Sequence, residues 1–355
     1  MKIWLAGVPG GGTTGNCKRE RELNKFWTLR LWSYYHLIES NGNMKKKRNK
    51  VNLFLDSGAF SAWTQKIEIN IHEYIEFIKK HRNFITVYAN LDVIGIGGKQ
   101  PNKLTAEATL ENQKIMEAAG LDPLPCFHFG EPYEYLEYYI KHYDYIALGV
   151  AGNSGRKLIP WFDICFSNYI CDKQTGLPKV KVHGFAVTSL PLMLRYPWYS
   201  VDSTSWVITG RMGGIFMPRW SENNKKWIYD GASWKIAVSN RSPNKKESGR
   251  HLDTLSKRHK EIVLNYIAEK GYAIGKSEFK MVEQSYVLDK AYEKWAGKKP
   301  ENKTAKRELE IILEPGISNK YQLRDEMNII YFLDLEKSIQ PWPWAFRKET
   351  QTKFF

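Results

Sequence analysis

The sequence predicts an α/β fold, with a (β/α)8 TIM-like barrel over residues 1–240 and an appended basic helical region over residues 241–355. Short apolar and β-branched runs alternate with longer stretches of helical periodicity, which is typical of parallel strands joined by crossover helices. Seven such runs recur at regular spacing, and the usual size of a barrel accommodates that many strand–helix units. Beyond residue 240 the composition changes to polar and basic segments, which indicates a second domain.

The predicted barrel strands are short and rich in Val, Ile, Leu and aromatic residues. In chain order they cover residues 2–5, 52–55, 85–89, 125–129, 145–149, 181–185 and 199–201. Apolar residues at helical spacing predict helices at residues 71–80, 106–119, 133–142 and 189–195. A (β/α)8 barrel has eight strands, and these runs account for seven of them. Residues 234–238 are the candidate for the eighth strand.

The last third of the chain has a different composition. Residues 241–250 are polar and basic, and the stretches 254–270 and 285–297 combine Lys and Glu with interleaved Tyr and Trp. This pattern predicts solvent-facing helices, followed by a Pro-Trp-Pro-Trp turn at residues 341–344. This region is therefore a candidate for contact with nucleic acid.

The charge balance favours a polyanionic partner. Lys and Arg number 53 against 38 Asp and Glu, a formal charge of +15, while hydrophobic residues make up 43% of the chain. That hydrophobic share excludes a disordered basic tail, and the excess charge favours nucleic acid or an anionic surface. Aromatic residues reach 14%, so some of them are candidates for stacking on bases.

Cysteine usage and hydropathy indicate a reducing compartment. The four cysteines are too few for a disulfide framework and include no Cys-x-x-Cys pair. The first apolar run is broken by Pro9 and Gly10, and no later run approaches the eighteen apolar residues of a membrane span. We therefore expect a cytoplasmic protein that does not contact membranes.

Three carboxylates follow predicted strands. Asp56, Asp92 and Asp202 each stand at or just beyond a strand end, where barrels place their functional side chains. Two convergent carboxylates suffice for chemistry at an anomeric carbon, because one attacks the carbon while the other moves protons. A third can accept hydrogen bonds from a base. The alternative for any one of them is a structural helix cap.

Two segments carry a family resemblance. The run Asp56-Ser57-Gly58-Ala59-Phe60 resembles the Asp-Ser-Gly-Gly-Phe signature of the queuine and archaeosine tRNA-guanine transglycosylases. The segment from His183 to Arg211, which contains Val201-Asp202-Ser203-Thr204, resembles their nucleophile region in order and spacing. The resemblance covers residues 51–216 and is greatest to the phage-encoded versions that insert 7-deazaguanines into DNA.

The resemblance implies an activity and a set of roles. The protein would be a pentosyltransferase that exchanges guanine in DNA for 7-cyano-7-deazaguanine or a related base, through a covalent aspartyl-sugar intermediate. Phage DNA modified in this way, in the host cytoplasm, would evade restriction. Asp202 would be the nucleophile and Asp56 the general acid/base. The implied base-binding residues are Ser57, Asp92, His128, Gly149 and His183.

Two departures from the family bear on cofactor and substrate. His128 stands where the family has a Gln that binds the base. Either His128 would form a hydrogen bond with a different 7-substituent of the base, or its role would be structural. The Cys-rich zinc site that follows the family's barrel has no counterpart, because no cysteine follows Cys171. We therefore expect no cofactor and no metal, and we favour DNA over tRNA.

The nucleic-acid contacts are predicted from charge and position. A paired guanosine must be flipped out before an aspartate can reach its C1′ atom, which requires phosphate anchors and stacking surfaces. The candidates are Lys45, Lys46, Lys47, Arg48, Arg211, Arg219 and Trp206. The glycine-rich loop at residues 7–15 is a further candidate phosphate cradle, although it lacks the Lys-Ser/Thr ending of a P-loop.

Three alternatives stay open at this point. The first is a transglycosylase that acts on tRNA, and the second is a retaining glycoside hydrolase that uses the same two aspartates. The third is a non-catalytic nucleic-acid-binding barrel. The oligomeric state and the inserted 7-deazaguanine derivative do not follow from the sequence.

Overall fold

The computed structural model describes residues 1–7, 23–26, 28–39, 52–95, 101–150, 152, 155–187, 189–230, 233–242, 244–302 and 304–348. Packing divides the chain into two compact units, the first formed by Met1–Thr204 with Leu333–Phe355 and the second by Ser205–Phe332. The sequence placed the domain boundary at residue 240. The structure divides the chain earlier, because strands beyond residue 213 pair with one another and not with the barrel sheet.

The first unit contains an eight-stranded parallel sheet. Its strands are β1 (Lys2–Ala6), β2 (Leu29–Ser33), β3 (Asn52–Asp56), β4 (Val87–Tyr88), β5 (Cys126–His128), β6 (Tyr145–Gly149), β7 (Lys181–Gly184) and β8 (Ser200–Ser203). The strand order is β4-β3-β2-β1-β8-β7-β6-β5, and a parallel bridge between Ala89 and Leu124 links the two ends. This order is that of a TIM-like barrel, so the α/β prediction is confirmed.

One predicted barrel strand is wrong and one was missed. Residues 234–238 do form a strand, β12 (Trp234–Ala237), but it pairs antiparallel with β9 (Gly214–Met217) in the second unit. The missing barrel strand is β2, which pairs in parallel with β1 and β3. Its sequence, Leu-Arg-Leu-Trp-Ser, carries only a short alternation. Arg30 occupies a buried position in this strand. Because arginine is rarely buried, its presence makes the strand hard to recognise from the sequence.

Helices of the first unit follow the strands. They are α1 (Tyr34–Glu39), α2 (Ala59–Thr64), α3 (Ile71–His81), α4 (Lys103–Ala118), α5 (Tyr133–His142), α6 (Ile159–Ile164) and α7 (Leu190–Arg195). Short 3-10 turns lie at Asn24–Phe26, Arg82–Phe84 and Gly155–Leu158, and a π-helical turn at Cys165–Ile170 extends α6. Asn70 and Asn102 start α3 and α4, because their side chains accept the first free N–H groups. The four predicted helices are confirmed.

Apolar strand residues fill the barrel. Trp4, Phe54 and Ala147 from three strands and Ala89, which follows β4, belong to one buried cluster. A second cluster packs α3 against β3 through Leu53, Leu55, Tyr74, Ile75 and Ile78. This packing fixes the positions at which the strands end, and with them the residues that follow.

A tight turn joins β3 to α2 through Gly58. Its φ angle is +80°, and a Cβ atom there would overlap Ser33 Oγ and Tyr35 Cβ. Only glycine combines this left-handed backbone with so close an approach. The turn aims residues 56 and 57 toward the carboxyl end of the barrel.

We expect Gly58→Ala to destabilise the protein more than Gly120→Ala. Both glycines have a φ angle of +80°, but a Cβ at Gly120 would meet no described atom within 4 Å. The left-handed conformation alone costs about 1–2 kcal/mol. Overlap at Gly58 adds roughly 1–3 kcal/mol. Urea unfolding of both variants measures the difference, and equal losses would contradict the close packing described here.

The second unit combines antiparallel strands and helices. Its strands are β9, β10 (Arg219–Ser221), β11 (Lys226–Ile228), β12, β13 (Lys276–Val282), β14 (Glu293–Trp295) and β15 (Arg307–Glu314). Its helices are α8 (Ser205–Arg211), the 3-10 turn Leu252–Thr254, α9 (Lys257–Glu269) and α10 (Tyr321–Ser338), of which the last residues belong to the first unit. Its core includes Ile215, Met217, Val263, Tyr266 and Met327.

The helical prediction for the last third is right in one part and wrong in another. Residues 254–270 contain α9, as expected. Residues 285–297 were predicted to be helical, but they contain β14, which pairs with β15 in a three-stranded antiparallel sheet. Pairing with distant strands overrides the local preference of Lys and Glu for helix. Among the described residues, no helix has the length and hydropathy needed to cross a membrane.

Candidate active site

The ends of three barrel strands bring Asp56, Asp92 and Asp202 into one electrostatic environment. Asp56 is the last residue of β3, Asp202 lies in β8, and Asp92 follows the bridge residue Ala89 after β4. The negative charges of Asp92 and Asp202 both raise the pKa of Asp56. The three carboxylates therefore share one site at the carboxyl end of the sheet.

The acid of this group is Asp56. Burial, followed by repulsion from Asp92 and Asp202, raises its pKa to about 8. Backbone N–H groups of Ser57 and Gly58 donate to the carboxylate and oppose the rise. At neutral pH the Asp56 carboxyl is therefore mostly protonated and able to donate a proton.

One oxygen of Asp202 is held by the protein. Its Oδ1 atom accepts a hydrogen bond of 2.7 Å from the backbone N–H of Ala186, and His183 Nε2 lies 3.5 Å away. Ala186 has a φ angle of +54°, uncommon for a residue with a side chain, and this turn presents its N–H group to Asp202. Within the described part of the chain, Oδ2 of Asp202 has no hydrogen-bond partner, which leaves it available to a ligand.

The structure places His183 next to Asp202. The side chain is fully buried between Phe54 and Phe185, with ring centroids 4.6 and 4.5 Å away. Its Nδ1 atom lies 2.7 Å from Ser200 Oγ, which in turn lies 2.7 Å from the Tyr145 hydroxyl. Burial lowers the pKa of His183 although Asp202 opposes the change, so the imidazole is neutral at pH 7. In this structure His183 faces Asp202, whereas the resemblance implied a contact with the base.

A second chain of hydrogen bonds links Ser57, Asp92, His128 and Glu131. Ser57 Oγ donates to Asp92 Oδ1 at 2.8 Å, and Asp92 Oδ2 lies 2.9 Å from His128 Nε2. On the other side of the ring, Nδ1 lies 3.2 Å from Glu131 Oε1, and the backbone N–H of His128 donates to Glu131 Oε2 at 2.8 Å. Burial alone would lower the pKa of His128, but Cys126, Glu131 and Asp92 together raise it well above its ordinary value.

Gly149 provides the space that His128 occupies. A Cβ at this position would overlap His128 Cδ2 and lie 3.2 Å from Cys126 Sγ. Cys126 Sγ itself lies 3.4 Å from His128 Nε2, and burial raises the pKa of this thiol to about 11. The resemblance implied that the base approaches the backbone at Gly149. In this structure His128 fills the space next to Gly149.

The predicted nucleic-acid contacts are distributed unevenly. Lys45, Lys46, Lys47 and Arg48, together with residues 8–15 of the glycine-rich loop, lie outside the described residues. In the second unit Arg211 is exposed, and Arg219 pairs with Asp230 at 2.8 Å. Trp206 is fully buried, and its carbonyl accepts a hydrogen bond from Asn328. A base cannot stack on Trp206 in this conformation, because its ring is packed in the core.

An open groove of about 1120 Å³ reaches Asp92. Ala59, Trp63, Leu91 and Asn112 line it, and so do residues of the loop that precedes α3. The volume is of the size that holds a small organic ligand. Near it, the ring of Phe60 is 43% exposed, which offers an apolar surface at this end of the barrel.

Sequence reasoning missed Cys126 and the full role of Glu131. Cys126 and His128 alternate on β5 and therefore face the same side of the strand, a signal that was available in the sequence. The partnership of Glu131 with both the ring and the backbone of His128 depends on the turn after β5.

No protein-family model matches this chain, and no curated protein matches its sequence. The resemblance to transglycosylases therefore depends on the motif residues around Asp56 and Asp202.

Proposed function

We propose that the protein is a DNA-guanine transglycosylase that exchanges guanine for a 7-deazaguanine derivative. One observation carries this proposal: Asp202 and Asp56 share a site but differ in what they can do. Asp202 has one oxygen anchored by Ala186 and the other available, as a nucleophile requires. Asp56, with a pKa of about 8, holds the proton that a departing base requires.

The first half of the exchange releases guanine. A carboxylate oxygen of Asp202 forms a bond to C1′ of the target nucleotide, and the C1′–N9 bond breaks with its electron pair moving to guanine. Asp56 donates its proton to the departing base and becomes a carboxylate. The product is a covalent sugar–aspartyl ester.

The second half inserts the new base. The Asp56 carboxylate takes the N9 proton of the incoming 7-deazaguanine, whose nitrogen attacks C1′ and breaks the ester bond to Asp202. Two displacements at C1′ give net retention of configuration. One N-glycosidic bond replaces another, so the exchange requires no ATP.

Base recognition is assigned to the groups that surround the acid. Ser57, Asp92 and His128 form a continuous polar edge beside Asp56, with Gly149 beneath the imidazole ring. Asp92 is the member of this edge that the open groove reaches. In this proposal the base enters along the groove and meets Asp92, while His183 keeps Asp202 in place.

A base-exchange experiment tests the proposal directly. The purified full chain is incubated with single-stranded DNA, duplex DNA or tRNA, and with 7-cyano-, 7-aminomethyl- or unsubstituted 7-deazaguanine. Mass spectrometry of the digested nucleosides then detects any inserted base. We expect insertion into DNA together with stoichiometric release of guanine.

Other outcomes decide among the alternatives. Insertion into tRNA alone would favour the tRNA-directed enzyme. Release of free sugar without an entering base would favour a glycoside hydrolase. Binding of DNA with neither reaction would favour a non-catalytic barrel and overturn the proposal.

We expect DNA binding to weaken steeply with salt. The chain carries a formal charge of +15, and each phosphate contact on duplex DNA contributes a slope of about −0.9 in log affinity against log salt. Two or more contacts therefore predict a loss of roughly tenfold or greater for a fourfold rise in salt. Fluorescence anisotropy with labelled DNA measures this loss, and an affinity independent of salt would contradict a phosphate-anchored complex.

A further inference from the structure

Three donor atoms of different chemistry converge beside Asp56. They are Cys126 Sγ, a ring nitrogen of His128 and a carboxylate oxygen of Asp92, and all three lie within 4.8 Å of one another. Cys126 and His128 point to the same side because they are two residues apart on β5, and Asp92 reaches them from the loop after β4. A thiol, an imidazole and a carboxylate are the three side-chain ligands of protein zinc sites.

The remaining polar atoms of two of these residues are already fixed by other groups. Nδ1 of His128 faces Glu131 Oε1 at 3.2 Å, so Nε2 is the nitrogen directed toward Cys126 and Asp92. Oδ1 of Asp92 accepts from Ser57 Oγ at 2.8 Å, so Oδ2 is directed toward His128. Metal sites use such outer contacts to orient their ligands, the carboxylate–histidine pair above all.

His128 Nε2 lies close to both of the other donor atoms. Nε2 of His128 lies 2.9 Å from Asp92 Oδ2 and 3.4 Å from Cys126 Sγ, and a single N–H group cannot point at both. A cation placed between the three atoms would interact with each of them at once.

Two of the three separations between the donor atoms are close to those of a tetrahedral site. Zinc bonds of about 2.3 Å to sulfur and about 2.0–2.1 Å to nitrogen and oxygen imply a sulfur–nitrogen separation of about 3.5 Å and a nitrogen–oxygen separation of about 3.3 Å. The observed separations are 3.4 Å and 2.9 Å. Of these two separations, only the one between nitrogen and oxygen has to widen for a metal ion to enter.

We propose that Asp92, Cys126 and His128 bind one divalent transition-metal ion, of which Zn²⁺ is the best match. The thiolate and imidazole select against Mg²⁺ and Ca²⁺, which prefer oxygen ligands. Three protein ligands leave a fourth position for water or a ligand atom. This site is distinct from the zinc cluster of the tRNA enzymes, whose absence led to the prediction of no metal.

The proposal goes beyond the proposed function and does not depend on it. It rests on donor atoms and their outer contacts, and it concerns metal binding by the free protein. With a metal bound, Asp92 and His128 would act on a base only through that metal.

Cobalt substitution tests the site. The full chain is dialysed against a chelator and titrated with Co²⁺, and bound metal is also measured by elemental analysis after loading with Zn²⁺. We expect one metal ion per chain, with a thiolate-to-cobalt charge-transfer band and the intense visible bands of a four-coordinate ion. Cys126→Ser should remove the charge-transfer band, and Cys171→Ser, which alters another buried cysteine, should retain it.

A variant that keeps all three ligands tests the site in case removal of a ligand prevents folding. Ser57→Ala removes the hydroxyl that orients Asp92 and leaves all three ligands in place, and loss of such an outer contact typically weakens metal affinity by about 10–100-fold. Substoichiometric metal in the wild-type chain would overturn the proposal, and so would a charge-transfer band that survives in Cys126→Ser. A chain that binds cobalt but exchanges no base would retain this site and reject the proposed function.

Discussion

Asp202→Asn is expected to abolish base exchange and the covalent adduct with DNA. The amide oxygen of asparagine is a poor nucleophile, so the sugar–aspartyl ester cannot form, while the side chain keeps its shape and can still accept the Ala186 N–H. Loss of a nucleophile typically lowers turnover by at least about 10⁴-fold. A radiolabelled-guanine exchange assay gives the rate, and mass spectrometry of protein quenched without an incoming base detects the adduct.

The control for this variant is Asp122→Asn. Asp122 is an exposed aspartate of the same unit, and its side chain has no described contact with the candidate site. We expect wild-type exchange and a wild-type adduct in this control. Exchange by Asp202→Asn within tenfold of the wild-type rate would reject Asp202 as the nucleophile.

The second large effect is expected for Asp56→Asn. Asparagine cannot donate a proton to departing guanine or take one from the incoming base, so turnover should fall by about 10²–10⁴-fold with DNA binding intact. The wild-type pH profile provides an independent readout. Because the pKa of Asp56 is raised to about 8, its acid form is lost as pH rises through about 8, and release of guanine should slow there.

Single-turnover guanine release measured across pH separates this role from a structural one. The alkaline decline should be present in the wild-type chain and absent from the residual activity of Asp56→Asn. An alkaline decline of the same midpoint in the variant would assign the titration to another group. Unchanged turnover would remove Asp56 from the mechanism.

The sequence predicted most of the barrel because its signals are local. Short apolar runs placed seven strands correctly, and the strand ends then located Asp56 and Asp202. It missed β2 because the buried Arg30 interrupts its apolar pattern. It also predicted a helix where β14 lies, since strand pairing with β15 is a contact between segments distant in sequence.

Most residues of the candidate site were named from the sequence, although Cys126 was missed, but the contacts among them could not be predicted. The resemblance named Ser57, Asp92, His128 and His183 as base-binding residues, yet it could not show which of them contact one another. Ser57 and Asp92 are 35 residues apart, and Asp92 and His128 are 36 apart, so only the barrel fold brings them together. In the same way, burial of His183 against Asp202 depends on β7 lying next to β8.

The raised pKa of Asp56 also links the stability of the fold to pH. An aspartate in the unfolded chain loses its proton near pH 3.8, whereas Asp56 in the folded chain holds its proton up to about pH 8. Between these values the folded state binds more protons, so this group makes the free energy of unfolding fall as pH rises, by up to about 1.4 kcal/mol per pH unit. The contribution of Asp56 to the free energy of unfolding is therefore greatest below about pH 3.8 and is lost as pH rises to about 8, and replacing Asp56 with an uncharged side chain should remove this contribution.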